Sequence, residues 1–254
     1  MALSRRAYLN PCDNPPVSAH MRYLGYGERL LAAYPAVVDD VTERLSVGVV
    51  AARIGLVVGG LTCLVVTPSF ASAYYLAYGR GGGESPPPGW LAGIGPSWFA
   101  GADAVSTYNS YGVVFGFALM IVVISLGVVV AAREGKGTWE SRAWRLIIGG
   151  LGAVAVGSLM EYGIPEDVLD AGYGFMLELA GFVIIAVGTV VLGWAVHREA
   201  EVGTIPSIGI ALVGPVGIVA GTAIVGHLPS GPASLLMLAA IIIGAIGLPD
   251  TPRP

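Results

Sequence analysis

Charge is scarce in this chain. Only 12% of its 254 residues are Asp, Glu, Lys or Arg, against about 25% in an ordinary soluble domain. So few charges cannot cover a water-facing surface, which excludes a soluble globular fold and leaves lipid as the expected surroundings. Lysine is almost missing, Lys136 being the only one among thirteen basic residues. A net charge of −4 gives no basic excess, so nucleic acid is not expected as a partner. Two cysteines, Cys12 and Cys63, supply no disulfide framework and have no neighbouring ligand at metal-binding spacing. The three histidines, His20, His197 and His227, fall in the N-terminal segment, at the end of an apolar run and in a loop at the opposite membrane face. Residues so dispersed cannot ligate one metal or haem, and no cofactor is expected.

Catalytic signatures are missing as well. The chain contains no H-E-x-x-H, no G-x-S-x-G and no phosphate-binding G-x-x-x-x-G-K-[ST]. The reading therefore leans away from an enzyme, with an intramembrane enzyme acting on lipid at the outer face as the weaker alternative. The first 46 residues hold no apolar core of the length a cleavable signal peptide needs, and none is expected.

What is abundant is apolar side chain and glycine: 55% hydrophobic residues and 38 glycines. Several apolar runs reach the roughly 20 residues that a helix needs to cross a bilayer. The fold expected is an all-α integral membrane protein, a six-transmembrane helix bundle with spans near 48–77, 112–132, 144–162, 173–196, 205–225 and 233–248. Pro68 is expected to kink the first span or end it early. Residues 1–46 form an N-terminal segment in which PAVVDDVTERLS (35–46) reads as an amphipathic helix, with Val37, Val38, Val41 and Leu45 opposite Asp39, Asp40, Glu43 and Arg44. Residues 249–254 are a short tail.

Lys and Arg concentrate on the cytoplasmic side of membrane proteins. The loop REGKGTWESRAWR carries Arg133, Lys136, Arg142 and Arg145; Arg198 follows the fourth span, and Arg44 and Arg53 flank the first. The opposite loops hold only Arg80. This predicts a cell-membrane protein with both termini cytoplasmic.

Two kinds of internal pattern stand out. IGGLGAVAVGSL (148–159) matches VGPVGIVAGTAI (213–224) at Gly149/Gly214, Gly152/Gly217, Val154/Val219 and Ala155/Ala220, which allows a reading as three tandem helical hairpins. GxxxG pairs occur at Gly55/Gly59, Gly112/Gly116 and Gly217/Gly221, with Gly149, Gly152 and Gly157 in their place in the middle hairpin. Such pairs let helix backbones approach closely. Packing inside the bundle is the first use expected for them, and association with a membrane-protein partner or a second copy is the other.

The stretch GSLMEYGIPEDVLDAGYGFMLELAG (157–181) places Glu161, Glu166, Asp167, Asp170 and Glu178 together without one Lys or Arg. Glu166, Asp167 and Asp170 read as solvated loop acids. Glu178 falls about 9 Å inside the fourth span at 1.5 Å per residue. A carboxylate there must be protonated, paired or facing a wet cavity. Glu161 closes the third span and can reach the same region, making Glu161 and Glu178 a candidate proton or cation site. Residues 79–111 form the longest loop, whose Trp90, Trp98 and Phe99 serve either as interfacial anchors or as a lid. Two functions follow. One is a membrane module such as an accessory subunit, scaffold or sensor; the other is a transporter or channel for a proton, cation or small solute using Glu178 and Glu161.

Overall fold

A computed structural model describes residues 35–78, 90, 103–133, 138–165, 168–199 and 202–248. The chain forms two compact units, Met1–Val47 and Gly48–Pro254. Among the described residues there are six α-helices and no strands: α1 Pro35–Tyr78, α2 Ala104–Ala132, α3 Thr138–Gly163, α4 Ala171–Arg198, α5 Thr204–Val225 and α6 Ser230–Ile246. Helices α1 to α5 are long and apolar enough to cross a membrane, whereas α6 has 17 residues. At 1.5 Å per residue α6 is about 26 Å long, slightly short of a hydrocarbon core of about 30 Å.

Several boundaries differ from the sequence expectation. The segment 35–46 is helical but forms one element with the first apolar run, and Pro68 lies inside α1 without ending it. The side chains of residues 35–45, which carry the expected amphipathic face, lie outside the described residues. The second apolar helix starts at Ala104, not near 112, because Asp103 caps it: its carboxylate accepts from the backbone N–H of Ser106 at 2.9 Å and from the Ser106 hydroxyl at 2.6 Å. Those two bonds hold the Asp103 carboxyl below its ordinary range. Tyr108 and Tyr111, read as aromatic residues of a long loop, consequently belong to α2 and are buried. Asp170, read as a loop acid, is the N-cap of α4, accepting from the Gly172 N–H at 2.8 Å. Glu166 and Asp167 lie outside the described residues, as do Trp98 and Phe99.

The exterior is apolar where a lipid-facing surface would need it to be. Along α1, Val50, Ile54, Val58, Leu61 and Val65 form an exposed stripe, and Ile205, Ile208, Leu212, Val216 and Val219 do the same on α5. Such spacing keeps residues on one helix face. Several hydroxyls within the helices bond back to their own backbone: Thr62, Thr67, Ser110, Thr189, Thr222 and Ser234 each donate to a carbonyl three or four residues earlier. Polar groups are thereby satisfied without a partner helix.

Glycine decides how the helices meet. Gly55 and Gly59 of α1 lie against Ser125, Val122 and Ala118 of α2; Gly112 and Gly116 lie against Tyr162, Leu159 and Ala155 of α3. Gly193 packs on Ser207 and Ala211 of α5, Gly221 on Gly231 of α6, and Gly244 of α6 returns to Arg53 and Leu56 of α1. Each helix thus packs on its neighbours in sequence, and α6 closes on α1.

Among α2 to α6 the most extensive contact joins α3 and α4. A Cβ on Gly181 would stand 2.6 Å from the Gly150 carbonyl oxygen, and one on Gly157 would stand 2.7 Å from that of Gly174. Gly150 and Gly157, not Gly149 and Gly152, therefore form the α3 side of this seam. Gly149 meets nothing within 4 Å, and Gly152 meets only Val123, at 3.8 Å. The matched residue Gly214, by contrast, is pressed against Thr189 and Ala186. The two sequence-matched glycines 149 and 214 thus have different environments, one open and one closed.

Two ends of the bundle need names. The carboxylate end holds Tyr78, Asp103, Glu161, Asp170 and Ser230. The arginine end holds Arg133, Arg142 and Arg198. At the arginine end Glu140 is fully buried; it pairs with Arg133 and accepts from Trp144 Nε1 at 3.1 Å.

Gly181→Val should lower stability by about 1–3 kcal/mol, the range for overpacking against atoms that cannot retreat. Gly149→Ala should be neutral or stabilise by up to about 1 kcal/mol, since Ala favours helix over Gly and space is open there. Thermal unfolding of both variants in one detergent checks the contrast; equal losses would refute a seam at Gly150 and Gly181.

Candidate functional site: a buried carboxylate pair with an aromatic and histidine relay

Glu178 lies seven residues into α4, about 10 Å along its axis, and is 1% exposed. Its position follows from the seam. A Cβ on Gly157 would meet Glu178 Cγ at 2.7 Å, and one on Gly174 would meet Glu161 Cβ at 2.8 Å. The absence of both methyl groups lets the two acids occupy the same crossing. There their carboxyl groups are near enough to interact directly. Ser158 donates its hydroxyl to Glu178 Oε1 at 2.6 Å, a bond between helices. The second oxygen of each acid, Oε2 of Glu178 and Oε2 of Glu161, is buried without a hydrogen-bond partner among the described residues.

Glu161 also faces a cavity of about 430 Å³ at the carboxylate end. Its wall is made by Tyr78, Tyr108, Asn109, Glu161, Tyr162 and Pro165, with Val105, Gly163 and Ile164. No Lys or Arg is among these residues. Glu178 is behind the wall and Glu161 is in it.

A chain of side chains leads away from the pair. Tyr162 follows Glu161 directly in α3, and both residues line the cavity. Tyr108 Oη donates to Tyr162 Oη at 3.1 Å, His227 Nε2 is 3.1 Å from Tyr108 Oη, and His227 Nδ1 is 2.8 Å from Ser230 Oγ. With Tyr108 donating to Tyr162, the consistent assignment places the imidazole proton on Nε2 and lets Nδ1 accept from Ser230. Every donor then points along the chain toward Tyr162, the neighbour of Glu161. Such alignment favours negative charge at that end.

His227 reaches the network because α5 ends at Gly226, whose φ of 70° is the left-handed conformation that stops a helix. Two aromatic residues secure this corner. Tyr75 Oη donates to the Gly226 carbonyl at 3.1 Å, and Trp90 Nε1 donates to that of Ile224 at 3.1 Å, satisfying acceptors that a helix terminus leaves open. Trp90 is thus placed as a helix-end donor. Around His227 stand Phe70 at 4.6 Å and Tyr74 at 4.9 Å between ring centroids. Complete burial among these rings lowers its imidazole to about 3, so it is neutral at physiological pH.

The sequence reading placed Glu161 and Glu178 in one region but missed Tyr108, Tyr162, His227, Ser158 and Ser230. A signal existed in the four-residue spacing of Phe70, Tyr74 and Tyr78, which puts an aromatic face on one side of α1. His227 carried none, because it is the fold of the link from α5 to α6 that turns it inward. Comparison with known protein families, with curated proteins and with solved structures finds no match to this chain.

Because the folded-state value of His227 lies below its ordinary value near 6.5, only the unfolded chain binds a proton there between about pH 3 and 6.5. Its contribution to stability is therefore lost as pH falls through that window, by about 1.4 kcal/mol per pH unit. His227→Gln should flatten the acid side of the melting-temperature profile. Parallel profiles for the two proteins between pH 4 and 6.5 would show that His227 does not titrate as described.

Proposed function

We propose that this chain is a six-span membrane protein that takes up a proton or a small cation at Glu161 and Glu178. The transport reading is preferred to that of a scaffold or accessory subunit. One observation carries the preference: a fully buried acid with an unpartnered oxygen stands beside a second acid that lines a cavity, and among the described residues no cation neutralises them. Two ionised carboxyl groups at that depth are costly. A shared proton or a bound cation removes one charge and gives the orphaned oxygens a partner.

In this reading the arginine end is cytoplasmic and the cavity opens outward. An ion arriving from outside meets Glu161 first and Glu178 second. Reorientation of the Tyr162, Tyr108 and His227 hydrogen bonds supplies an internal route by which a proton leaves or reaches Glu161. Toward the arginine end the interior becomes apolar, with a cavity of about 240 Å³ whose walls include Leu126, Ile147, Leu151 and Leu236. Passage across that half requires a second conformation.

Purified protein in liposomes bearing a pH or cation gradient should show flux. Glu178→Gln should reduce the rate at least tenfold and flatten its pH dependence; Glu161→Gln should reduce it less, because Glu161 is partly hydrated. Flux unaltered by Glu178→Gln, or none in the wild type under any gradient, leaves the scaffold reading. The orientation has its own test in a background lacking Cys12 and Cys63. A cysteine at Val168 should react with a membrane-impermeant maleimide from outside intact cells, and one at Lys136 only after lysis. The reverse pattern overturns the topology.

A further inference from the structure

A second built feature lies at the arginine end, away from the carboxylate pair. Trp139 in the first turn of α3 and Trp194 near the end of α4 meet edge to face, 5.4 Å apart with planes at 88°. Each carries an arginine from its own helix. The Arg142 guanidinium carbon is 4.8 Å from the centre of the Trp139 ring, and that of Arg198 is 5.1 Å from the Trp194 ring. The spacings, three and four residues, bring each pair together on one helix face. Both indoles remain 42–46% exposed, so the assembly lies on the outside of the bundle.

Neither Arg142 nor Arg198 has an ion pair among the described residues. In this they differ from Arg133, whose charge is taken up by buried Glu140. Glu199 is next to Arg198 in the chain and exposed, but it serves the helix end through its backbone N–H, which donates to Ala195 and His197 carbonyls. Two positive groups on neighbouring helices are thus held near each other with no described counter-charge.

The chemistry of the assembly selects a ligand class. A guanidinium laid on an indole keeps its edge N–H groups free, and those donors match two oxygens of a phosphate. Stacking also restricts the side chain before the anion arrives, reducing the entropy lost on binding. Trp rings reside preferentially at the level of lipid headgroups, which places the two cations at the height of the phosphates. Basic sites between helices on the cytoplasmic side bind anionic headgroups in the same physical manner.

We infer that Arg142, Trp139, Trp194 and Arg198 form a binding site for the headgroup phosphate of an anionic phospholipid, at the junction of α3 and α4. The occupant is a bilayer lipid, since the indoles that orient the arginines are exposed on the outside of two helices long and apolar enough to cross a membrane. Binding there ties the ends of the two helices whose glycine seam carries the carboxylate pair.

The full chain in mild detergent, titrated with phosphatidylglycerol or phosphatidylcholine and read by native mass spectrometry, tests this. Phosphatidylglycerol should bind at least tenfold more tightly than phosphatidylcholine, and the Arg142→Gln, Arg198→Gln double variant should lose that preference. Inorganic phosphate at millimolar concentration should leave phosphatidylglycerol bound. Equal affinity for the two lipids in the wild type overturns the inference, as does a preference that survives in the double variant. Displacement by inorganic phosphate would overturn it too, by marking a site for free anions. Because the wild-type comparison needs no variant, poor folding of the double variant does not remove the test.

Discussion

Helices α3 and α4 meet backbone against backbone along the line where Gly150 and Gly157 of α3 face Gly181 and Gly174 of α4. Within lipid there is no hydrophobic gain from bringing apolar helices together, so close packing and interhelical hydrogen bonds must hold them. Seven-residue spacing keeps Gly150 and Gly157 on one face of α3, and Gly174, Gly181 and Gly188 on one face of α4. Ala143 and Ala195, both fully buried, continue the two rows. Side chains larger than these would move the axes apart. The same closeness brings two carboxyl groups to one crossing and lets Ser158 reach Glu178. The polar site is in this sense a product of the seam, and its geometry lasts only while the seam does.

The two ends of the bundle handle buried charge differently. At the arginine end Glu140 is matched by Arg133 and by the Trp144 N–H, a closed arrangement in which a buried acid has a cationic partner. Removing one member of such a pair is costly because the other is left uncompensated. At the carboxylate end the acids have tyrosine and serine hydroxyls and each other, and a neutral imidazole lies farther along the chain. One buried acid has its counter-charge in the protein. The other two have no cation beside them among the described residues, and a cavity reaches one of them.

Much of the architecture was legible from hydropathy, because apolar runs in a chain with few charges have little alternative to helices in lipid. Legibility failed where a few polar residues set the geometry. Asp103 starts α2 some eight residues earlier than apolarity suggests, which moves Tyr108 and Tyr111 from a loop into the helix. Asp170 starts α4 in the same way. Caps of this kind are local hydrogen bonds that a hydropathy window averages away. The glycines were visible but their directions were not: Gly149 and Gly150 are adjacent in sequence, yet one is open and the other lies at the seam. Glu161 and Glu178 could be brought together because a hairpin constrains them. His227 could not be added, since its position depends on the left-handed turn at Gly226 and on α6 closing against α1.

The distribution of polarity along the interior constrains any transport cycle. From the carboxylate end inward there are side chains able to pass a proton, ending at Glu178; beyond them the core is built of aliphatic residues with Trp144 and Thr189, whose donors are already committed to Glu140 and Ala186. A single static path through this cavity would need polar groups that its walls do not present. Neutralising Glu178 would change what the site requires of its surroundings, because a neutral acid tolerates apolar contact that an ionised one does not. Charge state at the α3–α4 crossing is therefore the natural variable to couple with helix movement.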